Sequence, residues 1–188
     1  HPSTTKPLAA RTAIQQQGLM MRKSNQGAFS LYELLITLAL IAIGTSIAIP
    51  ALGTVIEKSQ QASLRDNLHA SLQQARALAI LHRRKIEVCA SSDGKRCQTN
   101  WSNGWMIRQS SGQQELLQRF QPPQKSSLQW AGFDKSVHFH PNGTSPTGKG
   151  RFYQCYRGTV AWQLIINRQG RVRPGTQKEN KSLASKCT

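Results

Sequence analysis

Twenty-three consecutive residues, Leu34 to Ile56, carry no charge. As an α-helix rising 1.5 Å per residue such a run spans roughly 35 Å, more than the about 30 Å of a bilayer's hydrocarbon core. The length therefore predicts a membrane-spanning helix. It exceeds the apolar region of a secretory signal peptide, and no clear small-x-small cleavage pattern follows it. Arg22 and Lys23 precede the run, with no acid before Glu33. The positive-inside rule then puts the N-terminus in the cytoplasm and everything after Glu57 across the membrane. Glu33 stands alone at the mouth of the run. A carboxylate there is costly unless a cation meets it in low dielectric, so Glu33 predicts a partner.

Basic residues, then Gly27, Ala28, Phe29, Ser30, Leu31, Tyr32, Glu33, Leu34, Leu35 and an apolar run resemble the class III signal of type IV prepilins. The resemblance implies that a prepilin peptidase cuts on the cytoplasmic side of the helix and methylates the new N-terminus. It also implies that the glutamate, fifth in the mature chain, pairs with the terminal amine of a neighbouring subunit. Aligned on Glu33, the cut falls between Ala28 and Phe29. The family's usual glycine before the cut stands one residue earlier, at Gly27, and a cut there would make Glu33 the sixth residue. Pro50 fits the family too, whose helices often kink at a proline near that depth. On this reading residues 1–28 are a leader, with the start at Met20 or Met21, and are set aside from the fold.

Beyond Glu57 the pattern turns amphipathic. Leu64, Leu68, Leu72, Ala75 and Ala79 share one face at helical spacing, which predicts a stripe packed on a sheet. Arg83, Arg84 and Lys85 are expected to close this helix, where cations suit the carbonyl end of the dipole. The period then changes to two, with strands expected at 86–90, 105–109, 116–120, 128–131, 137–140, 152–156, 160–167 and 171–173. Asp93-Gly94, Asn103-Gly104, Pro122-Pro123, Asn142-Gly143 and Asn167-Arg168-Gln169-Gly170 punctuate them. The expected domains are a transmembrane and filament-core helix over 29–56, its amphipathic continuation over 57–84, and a β domain with a basic tail over 85–188. The fold class is α+β: a long N-terminal helix packed on a C-terminal antiparallel β domain.

"ARALAILHRRKIEVCASSDGKRCQTNWSNGW", "VHFHPNGTSPTGKGRFYQCY" and "LIINRQGRVR" resemble the FimT/GspH group of minor pilins and pseudopilins. Four cysteines, Cys89, Cys97, Cys155 and Cys187, suit an oxidising compartment. Cys89 and Cys97 flank a seven-residue loop and suit a local bridge, which would leave Cys155 and Cys187 to tie the tail to a strand. Three pairings remain open. No Cys-x-x-Cys suggests structural zinc. His138 and His140 alternate on one strand face, where packing is the simpler use than a metal. Trp101 and Trp105 could stack on bases, but pinning their loop to the sheet is simpler. No nucleophile elbow, phosphate loop or His-Glu-x-x-His occurs, and only six acids lie beyond Glu57. Neither an enzyme nor a cofactor is expected.

The charge is the remaining signal. Residues 58–188 hold 21 Lys+Arg against 6 Asp+Glu, a net +15. Residues 149–188 hold nine of those cations against Glu179 alone. A basic face by itself favours a simpler use, a solvated face or attraction to anionic lipid or polysaccharide. Gly170-Arg171-Val172-Arg173 resembles a DNA-contacting element of the FimT branch, used for uptake in natural transformation. The residues expected to contact phosphates are Arg168, Arg171 and Arg173, with Lys149, Arg151, Lys178 and Lys181 as further edges. Such contacts ignore base sequence. The expected partners are DNA, other major and minor pilins, prepilin peptidase and the inner membrane before assembly. The alternative is a priming minor pilin or a type II secretion pseudopilin with no nucleic-acid role.

Overall fold

A computed structural model describes residues 30–110, 112, 114–122 and 126–187. The processing residues Ala28 and Phe29 lie outside them. Helix α1 runs over Leu31–Leu81. The Ser30 hydroxyl accepts the Glu33 amide proton at 3.2 Å, so the N-terminal turn is capped by a side chain. Among the described residues no helix is long and apolar enough to cross a membrane. The side chains of Ile47, Pro50 and Ala51, inside the uncharged run, are not among those described.

The expected helix end moves. α1 stops at Leu81 and has no base in its last turn. Arg83 takes φ +50°, and the Arg84 amide donates back to the Ala79 carbonyl at 3.3 Å. A left-handed residue just past the helix redirects the chain into the first strand and satisfies a terminal carbonyl. Arg83, Arg84 and Lys85 therefore follow the helix instead of forming its last turn.

Eight strands follow: β1 Ile86–Ala90, β2 Trp105–Gln109, β3 Leu116–Phe120, β4 Leu128–Gly132, β5 Val137–Phe139, β6 Gly150–Tyr156, β7 Thr159–Ile166 and β8 Val172–Pro174. They make two four-stranded antiparallel sheets, ordered β3-β2-β1-β5 and β4-β6-β7-β8. Leu68, Leu72, Ala75 and Ala79 are all fully buried. They join one core with Ile86, Val88 and Phe139 of the first sheet and Phe152, Leu164 and Ile166 of the second. Each fully buried leucine contributes about 1.5–3 kcal/mol by leaving water. A second helix, α2 Gln177–Ser182, was not anticipated from the sequence. Its signature is Thr176-x-x-Glu179, a capping box with both reciprocal bonds formed.

Of the three pairings, the structure selects Cys89–Cys97 and Cys155–Cys187, with sequence separations of 8 and 32. The second ties the tail to β6.

Two outcomes are expected in urea unfolding. Leu72→Ala lowers stability by about 3 kcal/mol, because the site is sealed between helix and sheets. Removing the longer-range bridge (Cys155→Ser/Cys187→Ser) costs about 3–4 kcal/mol, and removing the shorter one about 2–3, since the denatured chain gains more freedom from the larger loop.

Candidate nucleic-acid interface

Three of the expected cations meet at one end of the second sheet. The register pairs Gly132 with Gly150, Gly150 with Ile166, and Ile166 with Val172. The next positions out are Phe133, Lys149, Asn167 and Arg171. They form a further row, tied by Phe133 N–H to Lys149 O at 3.4 Å and Asn167 N–H to Arg171 O at 3.1 Å. Arg168 occupies the turn between β7 and β8, which closes through Gly170 N–H to Asn167 O at 3.0 Å. Lys149, Arg168 and Arg171 are exposed, and none of them forms an ion pair among the described residues.

Glycine makes this end possible. Gly170 has φ +74°, and a Cβ there would sit 2.2 Å from the Gly143 carbonyl oxygen. That approach seats the Arg168 turn against the 140–148 loop, where Ser145 N–H donates to Arg168 O at 2.9 Å. Arg76 of α1 donates from Nε to the same Gly143 carbonyl at 3.0 Å. Arg76 is thus a half-buried cation beneath the two turns, which the sequence reading missed. Its signal was a lone base one position after a buried alanine on the helix's packing face.

The other expected contacts are arranged differently. Arg171 precedes β8, so it does not share that strand with Arg173. Arg173 is opposite Ile165 and forms a two-pronged ion pair with Glu179, Nη1 to Oε2 at 3.0 Å and Nη2 to Oε1 at 2.7 Å. Glu179 also caps α2, accepting from Thr176 N–H at 2.8 Å. Arg173 and then the Thr176 amide hold the Glu179 carboxyl at about 2, well below the usual carboxylate range. Arg151 is half-buried, with Nη1 3.5 Å from Gln163 Oε1. Lys178 and Lys181 are exposed on α2, which reaches β7 through Gln163 and Asn180 (2.9 Å). Along the strand that is four residues, roughly 13 Å, from the cationic row.

Elsewhere the sequence's candidates are structural. Trp101 and Trp105 are buried, the first edge-on to Phe152 at 4.6 Å and the second stacked on Phe120 at 4.3 Å. His138 belongs to a cross-strand cluster: Glu87 receives Arg108 Nη2 at 2.8 Å and lies 3.9 Å from His138 Nε2. Burial is the main cause that lowers the His138 pKa, so the ring favours its neutral form. Glu87, Cys89 and Cys97 bring three metal-type ligand atoms within 4.8 Å of one another. Both sulfurs are spent in the disulfide, which leaves no thiolate to coordinate. At the opposite end of β6, a cleft of about 550 Å³ is lined by Glu57, Gln61, Leu64, Phe120 and Tyr156. There the Tyr156 hydroxyl donates to Glu57, the main cause that raises its pKa.

The model of the type II transport protein GspH family matches residues 65–170, more than half of the chain. The chain belongs to the GspH family. The prokaryotic N-terminal methylation motif matches residues 23–49 and so takes in Ala28, Phe29 and Glu33. The crystal structure of the Pseudomonas aeruginosa type IV minor pilin FimU is similar in fold: TM-score 0.50, 23% identity, over 65% of this chain and 92% of that one. A second crystal form of FimU matches at TM-score 0.46 and 24% identity, over 62% and 94%. No curated protein matches the chain. As a GspH-family chain it is a minor pilin or pseudopilin, from families of structural subunits. The family match includes Lys149, Arg151 and Arg168 and ends before Arg171, Arg173, Lys178 and Lys181.

The tail clasp has a pH signature. The Glu179 carboxyl binds its proton less readily in the folded state, near 2, than an ordinary glutamate at 4.5. Its stabilisation is therefore complete above pH 4.5 and is lost as pH falls through about 2. Carboxyl titration by NMR should place Glu179 near 2 in the wild type, and Arg173→Gln should return it towards 4.5.

Proposed function

We propose that this chain is a minor type IV pilin that binds DNA without regard to sequence, for uptake in natural transformation. The observation that carries the reading is the row at the sheet end. Among the described residues, Lys149, Arg168 and Arg171 stand exposed and without an ion pair on a hydrogen-bonded sheet end, in a region of net charge +15. Phosphates are anions that ammonium and guanidinium groups bind well. Arg173 has a second role in this reading: it anchors α2 through Glu179 and contributes less to DNA than Arg171. Arg151, Lys178 and Lys181 add to the long-range field that attracts DNA.

The methylation motif supports the rest of the life cycle in this reading. The uncharged run anchors the precursor in the inner membrane, with the β domain in the periplasm. Prepilin peptidase cleaves between Ala28 and Phe29 and the new amine is methylated. Glu33 then meets the amine of a neighbouring major or minor pilin in the filament, which carries the domain to the cell surface. No cofactor takes part and no reaction is catalysed.

A specific observation favours a second reading, a type II secretion pseudopilin or a priming minor pilin without DNA binding. The family match carries a type II transport description and ends at residue 170, before Arg171.

A salt series separates them. Fluorescence anisotropy of the detergent-solubilised full chain with DNA should show a slope of log affinity against log salt of about −3 for three phosphate contacts. Raising salt from 50 to 200 mM then weakens binding about 60-fold. Arg168→Gln/Arg171→Gln should shrink the slope by about 2, and Arg173→Gln should change it less. Loss of transformation in the double variant with filaments intact supports DNA uptake. No measurable DNA binding by the wild type supports the secretion or priming reading.

A further inference from the structure

The row at the sheet end begins with an aromatic. Phe133 is 88% exposed, the highest value among the large hydrophobic side chains of the described residues. A single exposed apolar side chain is ordinary. The backbone of this one is tied beside the cations. Trp130 Nε1 donates to the Asp134 carbonyl at 2.7 Å, which closes the turn around Phe133. The Trp130 ring lies over Gly132 and Gly150, where an added Cβ would come within 2.0 and 2.5 Å of it. The ring also packs on Phe152 at 4.3 Å, so the turn is anchored in the core. Phe133 N–H is bonded to the Lys149 carbonyl. The neighbouring acid, Asp134, places Oδ2 3.7 Å from His138 Nε2.

Three strand spacings separate Phe133 from Arg171, about 14 Å, a span that a few nucleotides of one strand can cover. Lys149 lies one spacing from Phe133, and Arg168 projects from the turn beside Arg171. An aromatic at the edge of a cationic track is the arrangement that binds unpaired bases: the ring stacks on the base face while cations hold the backbone. Inside a duplex both faces of a base are already stacked, so the ring has nothing to take.

We propose that Phe133, Lys149, Arg168 and Arg171 form a site for single-stranded DNA, with one unpaired base stacked on Phe133 and the neighbouring phosphates held by the three cations. This rests on the DNA-binding reading and narrows its substrate to single-stranded segments and frayed ends. Every base offers a stackable face, so the site remains blind to sequence.

The test compares one oligonucleotide, single-stranded and as its blunt duplex, on the full chain in detergent at fixed salt. The wild type should bind the single strand about tenfold more tightly, the scale of one stacked base. Phe133→Ala should abolish that difference while leaving duplex affinity and the salt slope unchanged, and Phe133→Trp should retain it. An exposed ring leaves no cavity when removed, so folding is not at issue. Equal wild-type affinity for the two forms overturns the inference, as does a preference that survives Phe133→Ala. In either case a salt slope that shrinks in Arg168→Gln/Arg171→Gln leaves DNA binding itself standing. Binding of neither form overturns both.

Discussion

Everything in the β domain leans on one buried stripe. Leu64, Leu68, Leu72, Ala75 and Ala79 recur on one face of α1 and are covered by residues of both sheets. Neither four-stranded sheet has an apolar partner layer of its own, and an amphipathic sheet alone in water is poorly stable. The helix supplies that layer to both at once. The two buried alanines near its end leave room for the chain, redirected at Arg83, to start β1 close to its own helix. β1 is buried along its whole length as a result. Its outward residues Glu87 and Cys89 must therefore be satisfied internally, by Arg108 in one case and the disulfide to Cys97 in the other.

The basic end is a by-product of the same packing. Arg76 follows Ala75 on α1, so burying the stripe delivers its guanidinium to the Gly143 carbonyl. Gly170 approaches the same carbonyl, and the two turns stack without room for a side chain. Loops that carry cations are usually mobile and lose entropy when they bind. Here Arg168 and Lys149 sit on backbone already fixed by ladder and turn hydrogen bonds, which lowers that cost. Arg173, two residues beyond Arg171, is committed instead to Glu179. One short basic segment thus divides its work between solvent and the tail.

The tail is the clearest case of a legible feature left unread. Thr176 and Glu179 are spaced as a capping box, yet 177–182 carries no apolar stripe to mark a helix. Its order comes from long-range ties, the Cys155–Cys187 bridge and the Arg173–Glu179 pair. Local pattern reading weighs neighbours along the chain and has no access to a bridge 32 residues away.

The sequence alone determined the long helix and its packing face, all eight strands to within a few residues, the α+β class and the concentration of positive charge near the C-terminus. Those follow from periodicity, turn chemistry and composition, which are local properties of a chain. Only the tertiary structure decided the division of the strands into two sheets, the disulfide pairing, and which cations lie together. Phe133, Lys149 and Arg171 span nearly forty residues and fall in one row, with Arg168 in the turn beside it, because antiparallel register aligns the ends of four strands. Arg171 and Arg173 look equivalent in sequence, and a single carboxylate brought in by α2 makes them different. Ion pairing and strand register are set by distance in space, and no spacing along the chain encodes that distance.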